Sequence, residues 1–174
     1  MESRCLAIDT SKMIRHAAVD DLPTIVAIYN AAIPGRLATA DTNFVSVDAR
    51  RAWFDGHSTD RRPLLILERE GLVAGWLSFQ SFYGRPAYDG TAELSVYVAP
   101  QYQRSGVGRE LLADAIRRAP SLGLRILLGF IFSHNAPSLA LFEGFGFQRW
   151  AHLPGIAELD GHERDLIIVG LRVD

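Results

Sequence analysis

Residues 91–118 read TAELSVYVAPQYQRSGVGRELLADAIRR, and this stretch decides the fold. Its first third alternates: Glu93, Ser95 and Tyr97 fall on one side of an extended chain, and Ala92, Leu94, Val96 and Val98 on the other, as a pleated strand over Thr91 to Val98 requires. Pro100 stops that strand. From about Gly106 to Arg118 the period changes, and Val107, Leu111, Leu112, Ala115 and Ile116 form one apolar helical stripe. Between the two elements lies Gln103-Arg104-Ser105-Gly106-Val107-Gly108. Two glycines in a strand-to-helix turn let backbone N–H groups approach a ligand, and the helix start adds unpaired donors and a positive dipole end. Phosphates suit such a turn, although an ordinary strand-to-helix connection reads the same way. A P-loop is excluded, because it needs a lysine after its last glycine and the chain has none beyond Lys12. A dinucleotide fingerprint would place a small residue at Leu111 and an acid at Phe132-Ser133, and neither is there.

Outward from this stretch the chain alternates elements without repeats or low-complexity segments. Met13 to Val19 reads as a strand, and Asp20 as the N-cap of a helix to Ala32 with Pro23 in its first turn. Ser46 caps a second helix to about Trp53. Leu64 to Arg69, a Glu70-Gly71 turn and Val73 to Phe82 read as an antiparallel hairpin. After the central helix come a buried strand from Arg125 to Phe132, a helix from Ala136 to Phe145, and closing strands over Phe147 to His152 and Leu166 to Val173. The order β-α-α-β-β-β-α-β-α-β-β predicts an α/β fold, a mixed sheet with one parallel crossover between its two middle strands.

Composition bounds the function. With 174 residues, 48% apolar and 22% charged, the chain suits one globular domain, expected over 13–174 behind a disordered extension over 1–12. The formal charge of −2 argues against a nucleic-acid partner. The longest charge-free apolar run, Ile126 to Phe132, is far too short for a membrane helix. No secretion signal is readable, so the cytoplasm is expected. Cys5 is alone, which excludes an internal disulfide. His16, His57, His134, His152 and His162 show no metal-binding spacing, so no metal site is expected.

The run Glu93-Leu-Ser-Val-Tyr-Val-Ala-Pro-Gln-Tyr-Gln-Arg-Ser-Gly-Val-Gly108, followed by Asn135-Ala-Pro-Ser138 and Gly144-Phe-Gly-Phe147, resembles the GNAT family of acetyl-CoA-dependent N-acetyltransferases. Within it the chain most resembles the phosphinothricin acetyltransferases, through Asn43-Phe44, Arg85 with Ala87-Tyr88-Asp89, Thr91-x-Glu93, Val96-Tyr97-Val98 and Asp165. The resemblance runs from about Met13 to Val173. It implies the GNAT acyl-CoA N-acyltransferase fold, mostly antiparallel with a splayed parallel central pair flanked by helices. It also implies acetyl-CoA as cosubstrate and a small amino-acid-like amine as acceptor, such as phosphinothricin, methionine sulfoximine or methionine sulfone. A homodimer is expected on the same ground.

Carried over residue by residue, the resemblance makes Val96, Tyr97 and Val98 main-chain partners of the pantetheine arm, near a splay at about Gly129 to Phe132. Arg104, Ser105, Gly106, Val107, Gly108 and Arg109 would wrap the pyrophosphate, Asn135 would contact the pantetheine or the amine region, and Ser138 would join the cofactor side. Glu93 is the expected general base, since a protonated amine must lose a proton before attacking a thioester. A strand N–H near Val96 or Tyr97, exposed by a bulge, would meet the developing oxyanion. Phe44, Arg85 and Tyr88 are the expected acceptor contacts, with Arg85 suited to a carboxylate or phosphinate. Each also reads as an ordinary loop residue. Two positions depart from the pattern: Phe142 replaces a residue able to protonate the leaving thiolate, so that an acid is either dispensable for so good a leaving group or replaced by water or Tyr97, and Glu163 replaces a tryptophan. Other amines, including polyamines, aminoglycosides or a protein N-terminus, and a non-catalytic acyl-CoA-binding module are the alternatives.

Overall fold

The computed structural model describes residues 12–173. Cys5 and the expected extension lie outside them, except for Lys12, which already opens the first strand. Seven strands form one sheet: β1 (Lys12–His16), β2 (Leu64–Arg69), β3 (Leu72–Ser81), β4 (Thr91–Val98), β5 (Ile126–Phe132), β6 (Gln148–Leu159) and β7 (His162–Arg172), in the spatial order β1-β2-β3-β4-β5-β7-β6. Among the described residues four α-helices flank it: α1 (Leu22–Ala32), α2 (Val47–Asp55), α3 (Val107–Arg118) and α4 (Ala136–Glu143). None is long and apolar enough to cross a membrane. The expected element order is the observed one, and every neighbouring strand pair is antiparallel except β4 and β5.

Alternation along β4 separates two cores. Leu94 joins Leu77, Phe79, Leu111, Leu112 and Phe142 under α3 and α4. On the opposite face Tyr97 packs with Trp76, Ile25, Ile28 and Trp53 beneath α1 and α2. Glycine keeps α3 close to the sheet, since a Cβ on Gly75 would lie 2.8 Å from both the Tyr97 carbonyl oxygen and Val107 Cγ1.

Two local expectations are corrected. Asp20 does not cap the first helix: a 3-10 turn over Val19–Asp21 precedes α1, and Asp21 accepts the Ala18 N–H at 2.6 Å while paired with Arg15. The closing strands are longer than their readings, because β6 runs through Pro154 and Gly155 with a register slip between Leu153 and Ala157. A proline survives there because β6 is a sheet edge, where one side of the strand needs no partner. Ser46 does cap α2, accepting the Ala49 N–H.

Candidate active site

Two parallel strands part in the middle of the sheet. The β4–β5 ladder comprises Thr91↔Ile126, Ala92↔Leu127 and Glu93↔Leu128 and goes no further. Yet β4 stays paired to β3 through Val98, and β5 to β7 through Phe132. Their facing edges beyond Leu128 therefore diverge, as the expected splay requires.

Hydrogen-bond phase decides which groups face that opening. Ala99 N–H reaches the Ala74 carbonyl at 2.9 Å, directly across the β3–β4 register. Alternation then turns the N–H and C=O of Tyr97, Ser95 and Glu93 towards β3, and those of Val98 and Val96 towards the opening. On the other lip, Ser133 N–H bonds the Asp165 carbonyl at 2.9 Å, so Phe130 and Phe132 present their main chain inward. Two expectations change. Tyr97 has no main-chain group to offer, because its pair is Trp76. No bulge exposes Val96 either: the β3–β4 register is unbroken, and divergence alone frees the amide.

Beside the opening stands the α3 N-terminus. Gly106 is its N-cap, at φ +89°, with no side-chain cap bond, and Arg104 is also left-handed at φ +59°. The first helical N–H groups, of Val107, Gly108 and Arg109, thus have no partner in the helix. Arg104 and Arg109 are exposed, and Arg109 lies over the Phe145 ring. Val107 is buried against Gly75, so only its amide is available. Gly108 lets the helix start approach β4 and α4, for its Cβ would lie 3.3 Å from Leu141 and 3.8 Å from Val96. Ser105 braces the loop: its hydroxyl donates to the Tyr102 carbonyl at 2.5 Å and accepts from Arg69, which also binds the Ser105 carbonyl and Glu110.

Asn135 is 6% exposed and engaged at both polar atoms. Its Oδ1 accepts the Ser138 N–H at 3.2 Å, capping α4, and its Nδ2 donates to the Leu37 carbonyl at 3.0 Å. Both polar atoms of Asn135 and the Ser138 N–H thus take part in structural bonds.

Glu93 sits where the two strands begin to part, half-buried, and no hydrogen bond or ion pair holds its carboxylate among the described residues. Burial alone raises its pKa from the ordinary carboxylate range. Across the strands Gln80 faces Glu93 and Ser78 faces Ser95, and the fully buried Ser78 hydroxyl has no partner among the described residues. Tyr97 completes this face, stacked on Trp76 at 4.6 Å with its hydroxyl donating to the Ala38 carbonyl at 2.8 Å. Burial holds that phenol well above its ordinary pKa, so Tyr97 is poorly suited to protonate a thiolate. Phe142 is 4% exposed and packs on Phe147, wholly within the α4 core.

The family model for acetyltransferase (GNAT) matches residues 25–147. A Bacillus subtilis protein provisionally named a phosphinothricin acetyltransferase is 52% identical over 158 residues, 90% of this chain and 96% of its own. An L-methionine sulfoximine/L-methionine sulfone acetyltransferase of Pseudomonas aeruginosa is 34% identical over 94% of this chain and 96% of its own. A provisionally assigned acetyltransferase of Salmonella typhimurium, solved with acetyl-CoA as its cofactor, superposes with a TM-score of 0.88 at 33% identity, covering 95% of each chain. The chain belongs to the GNAT family of acetyltransferases.

The three residues expected to meet the acceptor lie on two different connections of this GNAT enzyme. Tyr88 joins an aromatic cluster, with its ring 5.4 Å from that of Phe82, and Phe82 reaches Phe130 at 6.4 Å. By alternation Phe130 shares the Glu93 face of the sheet. Arg85 is exposed on the same β3–β4 connection, its guanidinium free of ion pairs among the described residues. Phe44, 70% exposed, stands on the α1–α2 connection, and no ring contact joins it to the cluster. Glu163 lies in β7 opposite Glu158.

Nothing in the sequence distinguishes Arg62 from its neighbour Arg61, yet Arg62 is 8% exposed and holds the β3–β4 connection at both ends. Its guanidinium donates to Ser81 Oγ at 3.1 Å and to the carbonyls of Asp89 at 2.9 Å and Thr91 at 3.4 Å. An open groove of about 410 Å³ lined by Ser133, Arg149, Trp150, His152 and Asp165 excludes Glu93 and the 104–109 loop. Its Asp165 is already satisfied by His152 and the Gly155 N–H, so it braces the β6–β7 hairpin.

Proposed function

We propose that this enzyme transfers the acetyl group of acetyl-CoA to the amino group of a small amino-acid-like acceptor, of the phosphinothricin, methionine sulfoximine or methionine sulfone type, with Glu93 as general base. The observation that carries the reading is the open β4 edge at Val96 and Val98 beside an uncapped α3 N-terminus. An extended pantetheine arm would complete that edge as an added strand does. Its pyrophosphate would meet the amides of Val107, Gly108 and Arg109 and the side chains of Arg104 and Arg109. The acetyl-CoA named with the Salmonella structure supports this cosubstrate.

An amino acid's amine is mostly protonated near neutral pH. Glu93 would take that proton, directly or through a water held by the unpartnered Ser78 hydroxyl on the same face. Desolvation favours this role, because it moves the carboxylate closer to the operating pH. The nitrogen lone pair would then form the bond to the thioester carbonyl carbon. Charge would pass to a carbonyl oxygen facing the Val96 N–H and return as the C–S bond breaks, the second nitrogen proton passing, directly or through water, to the departing thiolate to leave a neutral amide and thiol. A thiol of pKa about 8.5 leaves readily, so the chemistry tolerates phenylalanine at position 142. The relatives' substrates support the acceptor class, and Arg85 with the Tyr88–Phe82–Phe130 cluster supplies a cation and an apolar wall on the Glu93 face.

Thiol release with a panel of amines tests the reading. Methionine sulfoximine, methionine sulfone or phosphinothricin should turn over in preference to spermidine, an aminoglycoside and a peptide N-terminus. Glu93→Gln should lower kcat by ~10²–10⁴ while the acetyl-CoA KM stays within about twofold. Exclusive turnover of the polyamine or peptide would reject the acceptor class, and an unchanged kcat in Glu93→Gln would reject the base.

A further inference from the structure

Arg62 is a buried cation that forms no ion pair among the described residues. Its guanidinium meets only neutral oxygens: Nε donates to Ser81 Oγ, Nη1 to Arg61 O at 2.9 Å, and Nη2 to Asp89 O and, at 3.4 Å, to Thr91 O. The Asp89 carboxylate pairs instead with the exposed Arg61, at 3.5 Å. Taking a guanidinium out of water is costly unless its donors find acceptors. Three of the four acceptors here flank one stretch of chain, the connection over residues 82–90 between β3 and β4 that carries Arg85 and Tyr88.

The main chain around Arg62 is itself fixed. Arg62 exchanges two backbone bonds with Ser58, at 3.0 and 3.1 Å, and Pro63 O accepts the Phe79 N–H at 3.0 Å. At the far end of the connection, Gly90 O accepts the Arg125 and Ile126 N–H groups at 2.8 and 3.1 Å, which seats it on the start of β5. The β3–β4 ladder closes at Ser81↔Ala92. Beyond it the main-chain bonds are local: Gly84 N–H to Phe82 O at 2.8 Å, Tyr88 N–H to Arg85 O at 2.9 Å and Asp89 N–H to Pro86 O at 3.1 Å. Tyr83 and Gly84, left-handed at φ +59° and +61°, turn the chain back. Where the tip stands therefore follows from how its two ends are held, and Arg62 touches both.

We propose that Arg62 is a positioning residue for acceptor recognition: by joining Ser81 to Asp89 and Thr91 it fixes the foot of the β3–β4 connection, and through it the place of Arg85 and Tyr88 relative to Glu93. The proposal rests on the functional reading above, in which Arg85 meets the acid group of the acceptor. It adds a residue that acts through that connection rather than by touching either substrate. Arg61 differs only in where its side chain goes, and its surface pair with Asp89 holds nothing of comparable reach.

Arg62→Lys keeps the stem and the charge but loses the planar fork, so Ser81, Asp89 and Thr91 can no longer be held together. Ser81→Ala deletes one bond and serves should the lysine variant fail to fold. Two acceptors are compared, methionine sulfone and the amine that lacks its carboxylate. The KM for methionine sulfone should rise roughly five- to twentyfold in Arg62→Lys and about two- to fivefold in Ser81→Ala. The KM for the carboxylate-free amine and the calorimetric Kd for acetyl-CoA should stay within about twofold of the parent. Backbone amides of residues 82–90 should exchange faster by factors similar to the KM rise. Arg61→Ala should leave every one of these quantities within about twofold. Equal losses on both amines, a matching KM rise in Arg61→Ala, or a weakened acetyl-CoA Kd would overturn the proposal. Unaltered exchange at 82–90, or faster exchange with an unchanged KM for methionine sulfone, would overturn it as well. A failure of the functional reading would show separately, as a parent enzyme that acetylates none of the amine panel, while the exchange arm still tests the hold of Arg62 on the connection.

Discussion

Glu93 keeps its carboxylate half-buried without a cation or hydrogen-bond donor to offset the lost hydration, and burial raises its pKa. The native state therefore holds this proton at pH values where the unfolded chain has released it. Stability contributed by the group is greatest at low pH, declines as pH rises from the unfolded carboxylate value through the folded one, and is flat above. Glu93→Gln should accordingly raise the thermal midpoint at pH 7 and above, while the gain vanishes near pH 4. Thermal melts across pH check this, and a stabilisation independent of pH would contradict the desolvation account. Alternation showed that Glu93 shares a face with Ser95 and Tyr97, but its lack of partners could not be read from sequence. The reading of Asp20 as a cap fails for the same reason: the bonds that fix this turn, from Arg15 and the Ala18 N–H, reach Asp21 instead.

At the scale of elements, α3 depends on Gly75. A Cβ there would meet the backbone oxygen of Tyr97 and the buried Val107, neither of which can step aside without moving β4 or the helix start. Gly75→Ala should cost about 1–3 kcal/mol, several degrees of melting temperature for a chain this size, and weaken acetyl-CoA binding by shifting the α3 N-terminus. A variant as stable as the parent would show that α3 is not seated this closely. Element order and the limits of β4 were legible because alternation and helical period are strong there. The inner half of the β6–β7 hairpin was not, since Pro154 and Gly155 read as a break and only the edge position of β6 lets the strand continue.

For the whole molecule, one break in pairing organises the rest. A sheet continuous from β1 to β6 opens only between β4 and β5, placing an unpaired edge, a helix N-terminus and an unpartnered carboxylate around one mouth. The sequence implied the splay through family resemblance, but the phase of the amides follows from the β3–β4 register and the Ala99–Ala74 bond. Residue-resolved amide exchange by NMR, with and without acetyl-CoA, tests this most directly. In the free protein the Val96 and Val98 amides should exchange fast and the Tyr97 amide slowly, and acetyl-CoA should slow Val96 and Val98 while leaving Tyr97 unchanged. Val96 and Val98 amides already protected in the free protein, or indifferent to acetyl-CoA, would contradict the account.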